Sequence, residues 1–230
     1  MGWESIASKC HLWHLIAMKF AELLDTVGGL PLFRGSLLLA GDRDPADVRR
    51  QLARWNASGR VLQLRRNVYV LAAPWRRVEP HPFLIANELN RPSYVSLQSA
   101  LAHYGMIPEA VPSTTSVTTG RPVTFETPLG RYVYRHVRPA AFFGYGPLPV
   151  FRDQDALVAD PAKALLDLVY LTPGGEATAH LESLRLEDLE TLGTQDLRNH
   201  ARRWGKGKIA RAVENILRMK ESVPDGETWR

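Results

Sequence analysis

Apolar residues recur with helical period at Leu12, Leu15, Ile16, Phe20, Leu23, Leu24 and Val27. That spacing predicts a packed helix over residues 11–27, ended by Gly28-Gly29. Pro31 to Ala40 is mainly apolar and predicts a short second helix, with Gly41 as the break. Asp44 suits an N-cap, Pro45 the first helical position and Asp47 the third. Val48, Leu52 and Trp55 follow at i, i+4 and i+7, one apolar stripe of a third helix that Ser58-Gly59 ends. The period then changes. Val61 to Leu64 and Val68 to Leu71 are rich in β-branched and aromatic residues and predict a hairpin. Its turn falls at Arg65-Arg66-Asn67, where Asn67 tolerates a left-handed conformation.

Pro74, Pro80 and Pro82 mark a boundary near residues 72–82. Residues 83–90 predict a short helix. Ser96 is placed to cap another, running to about Tyr104 with Leu97, Ala100, Leu101 and Tyr104 on one face and Gly105 as its stop. Thr114 to Thr119 reads as a strand, and 123–127 with 131–137 as a hairpin. The aromatic loop Phe142-Phe143-Gly144-Tyr145 is expected to pack on that sheet. Short strands are expected at 150–152 and 156–158. Asp160-Pro161 opens a helix to about Leu171, with Ala164, Leu165, Leu168 and Val169 buried. Three further helical segments follow, at 181–192, 195–204 and 207–221. No repeat of fixed period is present. The pattern predicts an α+β chain: a small helix-and-hairpin domain over residues 1–78, then a mixed α/β domain over 79–230.

Charge sharpens the first domain. Val48 to Val78 holds eight arginines and no Asp or Glu, in a chain with 29 basic and 24 acidic residues. Surface helices ordinarily mix both signs. Here the signs mix only in the first turn, at Asp44 and Asp47. Arg49, Arg50 and Arg54 fall on the helix face opposite the apolar stripe, together with Ala53 and Ala57. Small residues between arginines let a helix backbone approach a groove floor. The order helix, Gly-containing turn, basic helix, basic-tipped hairpin is the layout of a winged helix-turn-helix, whose second helix enters the DNA major groove. Arg65 and Arg66 would then reach phosphates or the minor groove from the wing.

Leu197 to Val213 is a second acid-free window, with Arg198, Arg202, Arg203, Lys206, Lys208 and Arg211. Removing both windows leaves 15 basic against 24 acidic residues. Two positive patches on an otherwise acidic body point to a nucleic-acid partner. The second patch is as readily a solvated face that balances the acidic body. The single cysteine, Cys10, excludes an intramolecular disulfide and a Cys-based zinc site. No apolar run reaches the roughly 18 residues needed to span a membrane. His11, His14 and Lys19 interrupt any signal-peptide core near the N-terminus. The expectation is a cytoplasmic protein without a membrane partner.

With both halves in view, the chain resembles the AbiEi antitoxins of bacterial type IV abortive-infection toxin–antitoxin systems. The resemblance spans about residues 13–220. It rests on RVLQLRRNVYVL (60–71), YVSLQSALAHYGMIPEAVP (94–112), FETPLGRYVYRHV (125–137), FFGY (142–145) and ADPAKALLDLVYL (159–171), taken in order. The family usually has Gly in the wing turn, where this chain has Asn67. The resemblance implies an N-terminal winged helix joined to an α/β antitoxin domain. It also implies a repressor of its own operon, acting on duplex operator DNA with inverted repeats. That repressor would counter a nucleotidyltransferase-like toxin without needing a stable complex with it. The alternative reading is a winged-helix regulator whose second domain binds an effector or dimerises.

Enzyme chemistry finds no foothold in the residues. A restriction-type nuclease needs a carboxylate two residues before a lysine, and no Lys here has one. Lys206-Gly-Lys208 lacks the frame of a phosphate loop, and neither Gly-x-Ser-x-Gly nor Gly-x-Gly-x-x-Gly occurs. His11 and His14 lack a third ligand for a metal. His136 reads as a structural histidine in a strand. Tyr132, Tyr134 and Phe125 suit a sheet face better than a base-stacking platform. The chain is therefore expected to be a non-enzyme with no cofactor and no metal.

Overall fold

The computed structural model describes residues 18–39, 43–109, 111–205 and 207–222. They fall into two compact units that divide between His81 and Pro82. The chain is a mixed α+β protein, with two sheets among the described residues.

In the first unit, α1 (Phe20–Val27) buries Leu23 and Val27. The predicted helix over 11–27 is shortened. It begins at Phe20 after an extended Lys19, and residues 11–17 lie outside the described residues. Met18 is instead turned into the core, where its Sδ accepts from Arg43 Nη1 at 3.3 Å.

The helix expected over 31–40 is not formed among the described residues. Phe33–Arg34 is a short strand, β1, and Gly35–Leu39 is a 3-10 turn. Tertiary pairing overrides helical propensity at this point. Phe33 stacks on Tyr69 with ring centroids 5.7 Å apart, and β1 pairs antiparallel with β3 (Val68–Leu71). Gly35 makes that approach possible. A Cβ there would sit 2.8 Å from Asn67 Oδ1 and 3.1 Å from a Leu52 methyl.

The next helix follows its sequence signals. Asp44 Oδ1 accepts from Ala46 N at 2.7 Å, Pro45 opens α2 (Pro45–Ala57), and Val48, Leu52 and Trp55 are buried. Ser58-Gly59 turns the chain into β2 (Val61–Arg65), and Gly59 has φ +68°. Asn67 takes the left-handed conformation (φ 67°) in the turn to β3. Asn56 Oδ1 accepts from Gln63 N at 2.9 Å and ties the hairpin to the helix. The sheet order is β1-β3-β2, and one core of Leu23, Val27, Phe33, Leu38, Val48, Leu52, Trp55 and Tyr69 joins all these elements.

The second unit is built on a six-stranded sheet in the order β6-β7-β5-β4-β9-β8. The strands are β4 (Ser93–Val95), β5 (Thr114–Thr118), β6 (Val123–Thr127), β7 (Gly130–His136), β8 (Tyr145–Phe151) and β9 (Gln154–Ala159). β4 runs antiparallel to β5 and parallel to β9, β5 runs parallel to β7, and the outer pairs are hairpins. β8 and β9 exceed the short strands expected there.

β8 is an edge strand carrying Pro147 and Pro149. Pro147 faces Leu157, whose N–H goes to Asn87 Oδ1 (2.6 Å) and whose C=O accepts from Asn87 Nδ2 (3.3 Å). The main chain of Leu157 is thus turned away from β8, and Pro147 occupies a non-hydrogen-bonded position where its missing N–H costs nothing. The same prolines strip donors from the outer edge and protect it against further strand pairing.

Helices α3 (Pro82–Leu89) and α4 (Leu97–His103) pack on the sheet, and α5 (Pro161–Leu171) packs on α4. α7 (Thr194–Trp204) and α8 (Gly207–Ser222) pack on α5 and on each other. The helix expected over 181–192 is replaced. α6 spans Thr178–Ser183, and a 3-10 turn covers Leu189–Thr191. Arg185 and Asp188 sit at positive φ between them, and Glu187 N donates to Met106 O at 2.9 Å, which holds the segment in a bent path. Ser96 precedes α4 as expected but makes no side-chain cap. Its hydroxyl is committed elsewhere.

Candidate nucleic-acid interface and a buried polar cluster

The residues expected to meet DNA lie where the first unit exposes them. Arg49, Arg50 and Arg54 project from the solvent side of α2, and Ala53, Asn56 and Ala57 are exposed with them. The helix can spend this face because Val48, Leu52 and Trp55 already anchor the other one. Arg50 Nη2 donates to Asp47 Oδ1 one turn earlier. Arg65 and Arg66 are exposed at the turn of the β2–β3 hairpin. The left-handed Asn67 closes that turn tightly and fixes where the two arginines leave the sheet.

The second basic window divides. Arg198, Arg202 and Arg203 are exposed on α7. Leu197 and Trp204 bury the opposite side of that helix. The Arg203 guanidinium lies 4.3 Å from the Phe143 ring centroid, and Arg202 Nη2 donates to Asn199 Oδ1. Lys208 and Arg211, by contrast, are spent on structure. Lys208 Nζ donates to the carbonyls of Thr172 and Tyr170 at the C-terminal end of α5, which offsets the orphan acceptors there. Arg211 pairs with Glu176 at 2.9 Å. Lys206 lies outside the described residues.

Beneath α7 is a polar cluster that pattern reading missed. Lys163 and Asp167 form an ion pair on α5 with both side chains fully buried. Tyr94 Oη accepts from Lys163 Nζ at 2.8 Å and donates to Asp167 Oδ2 at 2.9 Å. Ser96 Oγ donates to the same carboxylate oxygen at 2.8 Å. The Trp204 ring lies over the ammonium, 4.2 Å from centroid to Nζ. Burial pushes the lysine down and the aspartic acid up, each partly countered by its partner. The Tyr94 phenol is pushed up, first by burial and then by Asp167.

Around this cluster, Asp160 caps α5 by accepting from Lys163 N (2.8 Å) and takes His200 Nε2 of α7 at 2.8 Å. Gly144 lies at φ +70°, with a built Cβ 3.0 Å from Lys163 and 3.1 Å from His200, so the loop closes on the pair only without a side chain. The cluster is closed to solvent. Its geometry fits it to hold α4, α5, α7 and the sheet in one arrangement rather than to meet a substrate. A signal was available in the sequence: PAKALLDLVYL is apolar on every side, so a helix with that composition is buried and carries Lys163 and Asp167 inside with it.

His136 Nδ1 donates to Gly120 O (2.9 Å) on the surface, and Tyr132 and Tyr134 are buried in the sheet. No group of three or more His, Cys, Asp or Glu among the described residues is placed to hold a metal ion. His11 and His14 lie outside the described residues. Among the described residues no helix is long and apolar enough to cross a membrane.

Fold and surface together define a two-unit α+β protein with an arginine-rich helix and hairpin turn in one unit and a sheet with a sealed ionic core in the other. No protein-family model matches the chain, and no curated protein matches it either.

Proposed function

We propose that this chain is a sequence-specific DNA-binding repressor of its own operon. We propose further that it is the antitoxin to a nucleotidyltransferase-like toxin in a bacterial type IV system, acting in the cytoplasm without catalysing a reaction. The observation that carries the DNA-binding part is the exposed arginine set on α2 and the β2–β3 turn, Arg49, Arg50, Arg54, Arg65 and Arg66. The order α1, β1, 3-10 turn, α2 and hairpin, with β1 closing a three-stranded sheet, supports a winged helix as the frame, with the 3-10 turn Gly35–Leu39 standing where a helix was expected before the basic one. The antitoxin part rests on the motif series between Tyr94 and Leu171. In this reading the second unit carries the antitoxin activity, and Arg198, Arg202 and Arg203 contribute to it. Two experiments test the two parts. Gel-shift titration with the DNA upstream of the gene should give a saturable complex that unrelated duplex competes away only weakly. Inducing the cognate toxin in cells should arrest growth, and residues 80–230 alone should restore it. Rescue by the N-terminal unit instead would reverse the division of labour.

A second reading is a winged-helix regulator whose second unit binds a small effector. It is favoured by a cleft of about 600 Å³ between α3 and the β8–β9 hairpin, lined in part by Asn87, Phe142, Tyr145, Pro147 and Leu157. Tyr145 stacks on Tyr94 on the inner side of that cleft, with ring centroids 4.3 Å apart. A ligand that alters operator affinity through this cleft, with no toxin gene nearby, would make this the better account.

A further inference from the structure

The three arginines of α2 are not equivalent. Opposite the buried stripe, the crest of the helix is Ala46, Arg50, Ala53 and Ala57, spaced i, i+4, i+7 and i+11. Arg50 is the one long side chain on that line. Arg49 lies on one flank of the crest and Arg54 on the other. Arg50 is also the member of the set that a carboxylate holds: Asp47, one turn earlier, takes its Nη2, while the Arg50 side chain remains 57% exposed. A guanidinium is a planar fork, so a carboxylate on one corner fixes its plane. The alanines around it remove the bulk that would keep the helix axis away from a groove floor. Arg49 and Arg54 have the opposite character, exposed charges displaced to the two sides where the strands of a duplex would run.

Resting on the DNA-binding reading above, we propose that Arg50, buttressed by Asp47, is the base-reading residue and takes a guanine through its O6 and N7 acceptors. Arg49 and Arg54 hold phosphates on either side. A fixed fork on the centre line matches the paired major-groove acceptors of guanine. Flanking charges contribute affinity that is blind to sequence.

The full chain is offered random-sequence duplexes, and the duplex it enriches becomes the probe. One G·C pair in it should weaken wild-type binding about tenfold or more when changed to A·T. Arg50→Ala and Arg50→Lys should bind the two duplexes alike. Arg50→Lys keeps the charge and the helix, so its loss of preference cannot come from unfolding. Asp47→Asn should retain only part of the preference. Arg49→Ala and Arg54→Ala should weaken both duplexes by one common factor, and each should lower the salt slope by about one. Preference that survives in Arg50→Ala, or disappears in Arg49→Ala or Arg54→Ala, overturns the assignment while DNA binding itself stands. A wild-type chain that enriches no duplex overturns the DNA-binding reading, and this inference falls with it.

Discussion

Two helices of this chain open with the same three residues and carry their charges to opposite ends. Asp44-Pro45-Ala46 starts α2 and Asp160-Pro161-Ala162 starts α5. In both, the aspartate caps and the proline takes the first position. Both then pair an acid with a base about one turn apart: Asp47 with Arg50 on α2, Lys163 with Asp167 on α5. The first pair is partly exposed, and an ion pair of that kind contributes about 0–1 kcal/mol. The second has no exposure at all, and each charge depends on the other. The start of a helix therefore says little about the use of its charges. The apolar count beyond the first turn decides it, one stripe in α2 and nearly the whole circumference in α5.

The largest effect should come from breaking the buried pair. Lys163→Met leaves the Asp167 carboxylate buried with only Tyr94 and Ser96 as donors, and should cost about 3–5 kcal/mol in chemical denaturation. The double variant Lys163→Met, Asp167→Leu removes both charges and should recover most of that loss. Arg50→Ala, the matching cut on α2, should cost less than about 1 kcal/mol. A double variant no more stable than the single one would show that the pair is held by something besides mutual neutralisation.

On α2 the large effect should appear in binding instead. Arg50→Glu with Arg54→Glu should abolish complex formation with the upstream DNA while the denaturation midpoint stays within the range of surface changes. If four or five of Arg49, Arg50, Arg54, Arg65 and Arg66 touch phosphate or the groove, log affinity should fall with log salt at a slope of roughly −4. Unchanged binding by the double reversal would remove α2 from the interface.

The sequence made α2 readable because each of its signals is local. The cap, the stripe, the Ser58-Gly59 stop and the Asn67 turn all depend on residues a few positions apart, and the structure has each of them. Where partners are distant in sequence, pattern failed. Residues 33–34 became a strand because Phe33 meets Tyr69, and Gly35 is needed for a backbone approach that no neighbouring residue announces. Ser96 looked like a cap but serves Asp167, which is 71 positions away. Lys208 and Arg211 looked like one surface with Arg202 and Arg203, yet their acceptors at Tyr170, Thr172 and Glu176 come from another helix and the loop after it. The legible part of the candidate interface is the part that buries nothing.

A middle-sized effect should appear in the second unit at high pH. Burial raises the phenol pKa of Tyr94 and of Tyr132, from an ordinary value of 10.0. The unfolded chain gives up these protons near pH 10, while the folded chain holds them. The stability they contribute is present below that pH and is lost as pH rises toward the native values. Each tyrosine should therefore lower stability by about 1.4 kcal/mol per pH unit above 10. Lys163, whose pKa burial lowers, acts in the other direction and below its ordinary value of 10.5, so the clean comparison is between wild type and Tyr132→Phe above that pH. That variant should fall less steeply above pH 10 by one tyrosine's share. An identical slope would mean that the Tyr132 hydroxyl reaches water in the folded state.

The smallest effect tests the shared opening itself. Asp44→Ala removes the acceptor for Ala46 N and should cost about 1 kcal/mol, with Asp44→Ser retaining most of it. The loss frays the turn that carries Asp47, so binding to the upstream DNA should weaken slightly, by the fraction of time Arg50 spends without its carboxylate. Asp160→Ala removes an equivalent cap, accepted from Lys163 N, and also strips His200 of its partner. It also loosens the first turn of a helix whose next residue pair has no solvent to fall back on. Its cost should exceed that of Asp44→Ala in the same denaturation assay. Equal costs would mean that a cap is worth the same at a buried helix as at an exposed one, and that the difference between α2 and α5 begins only after the first turn.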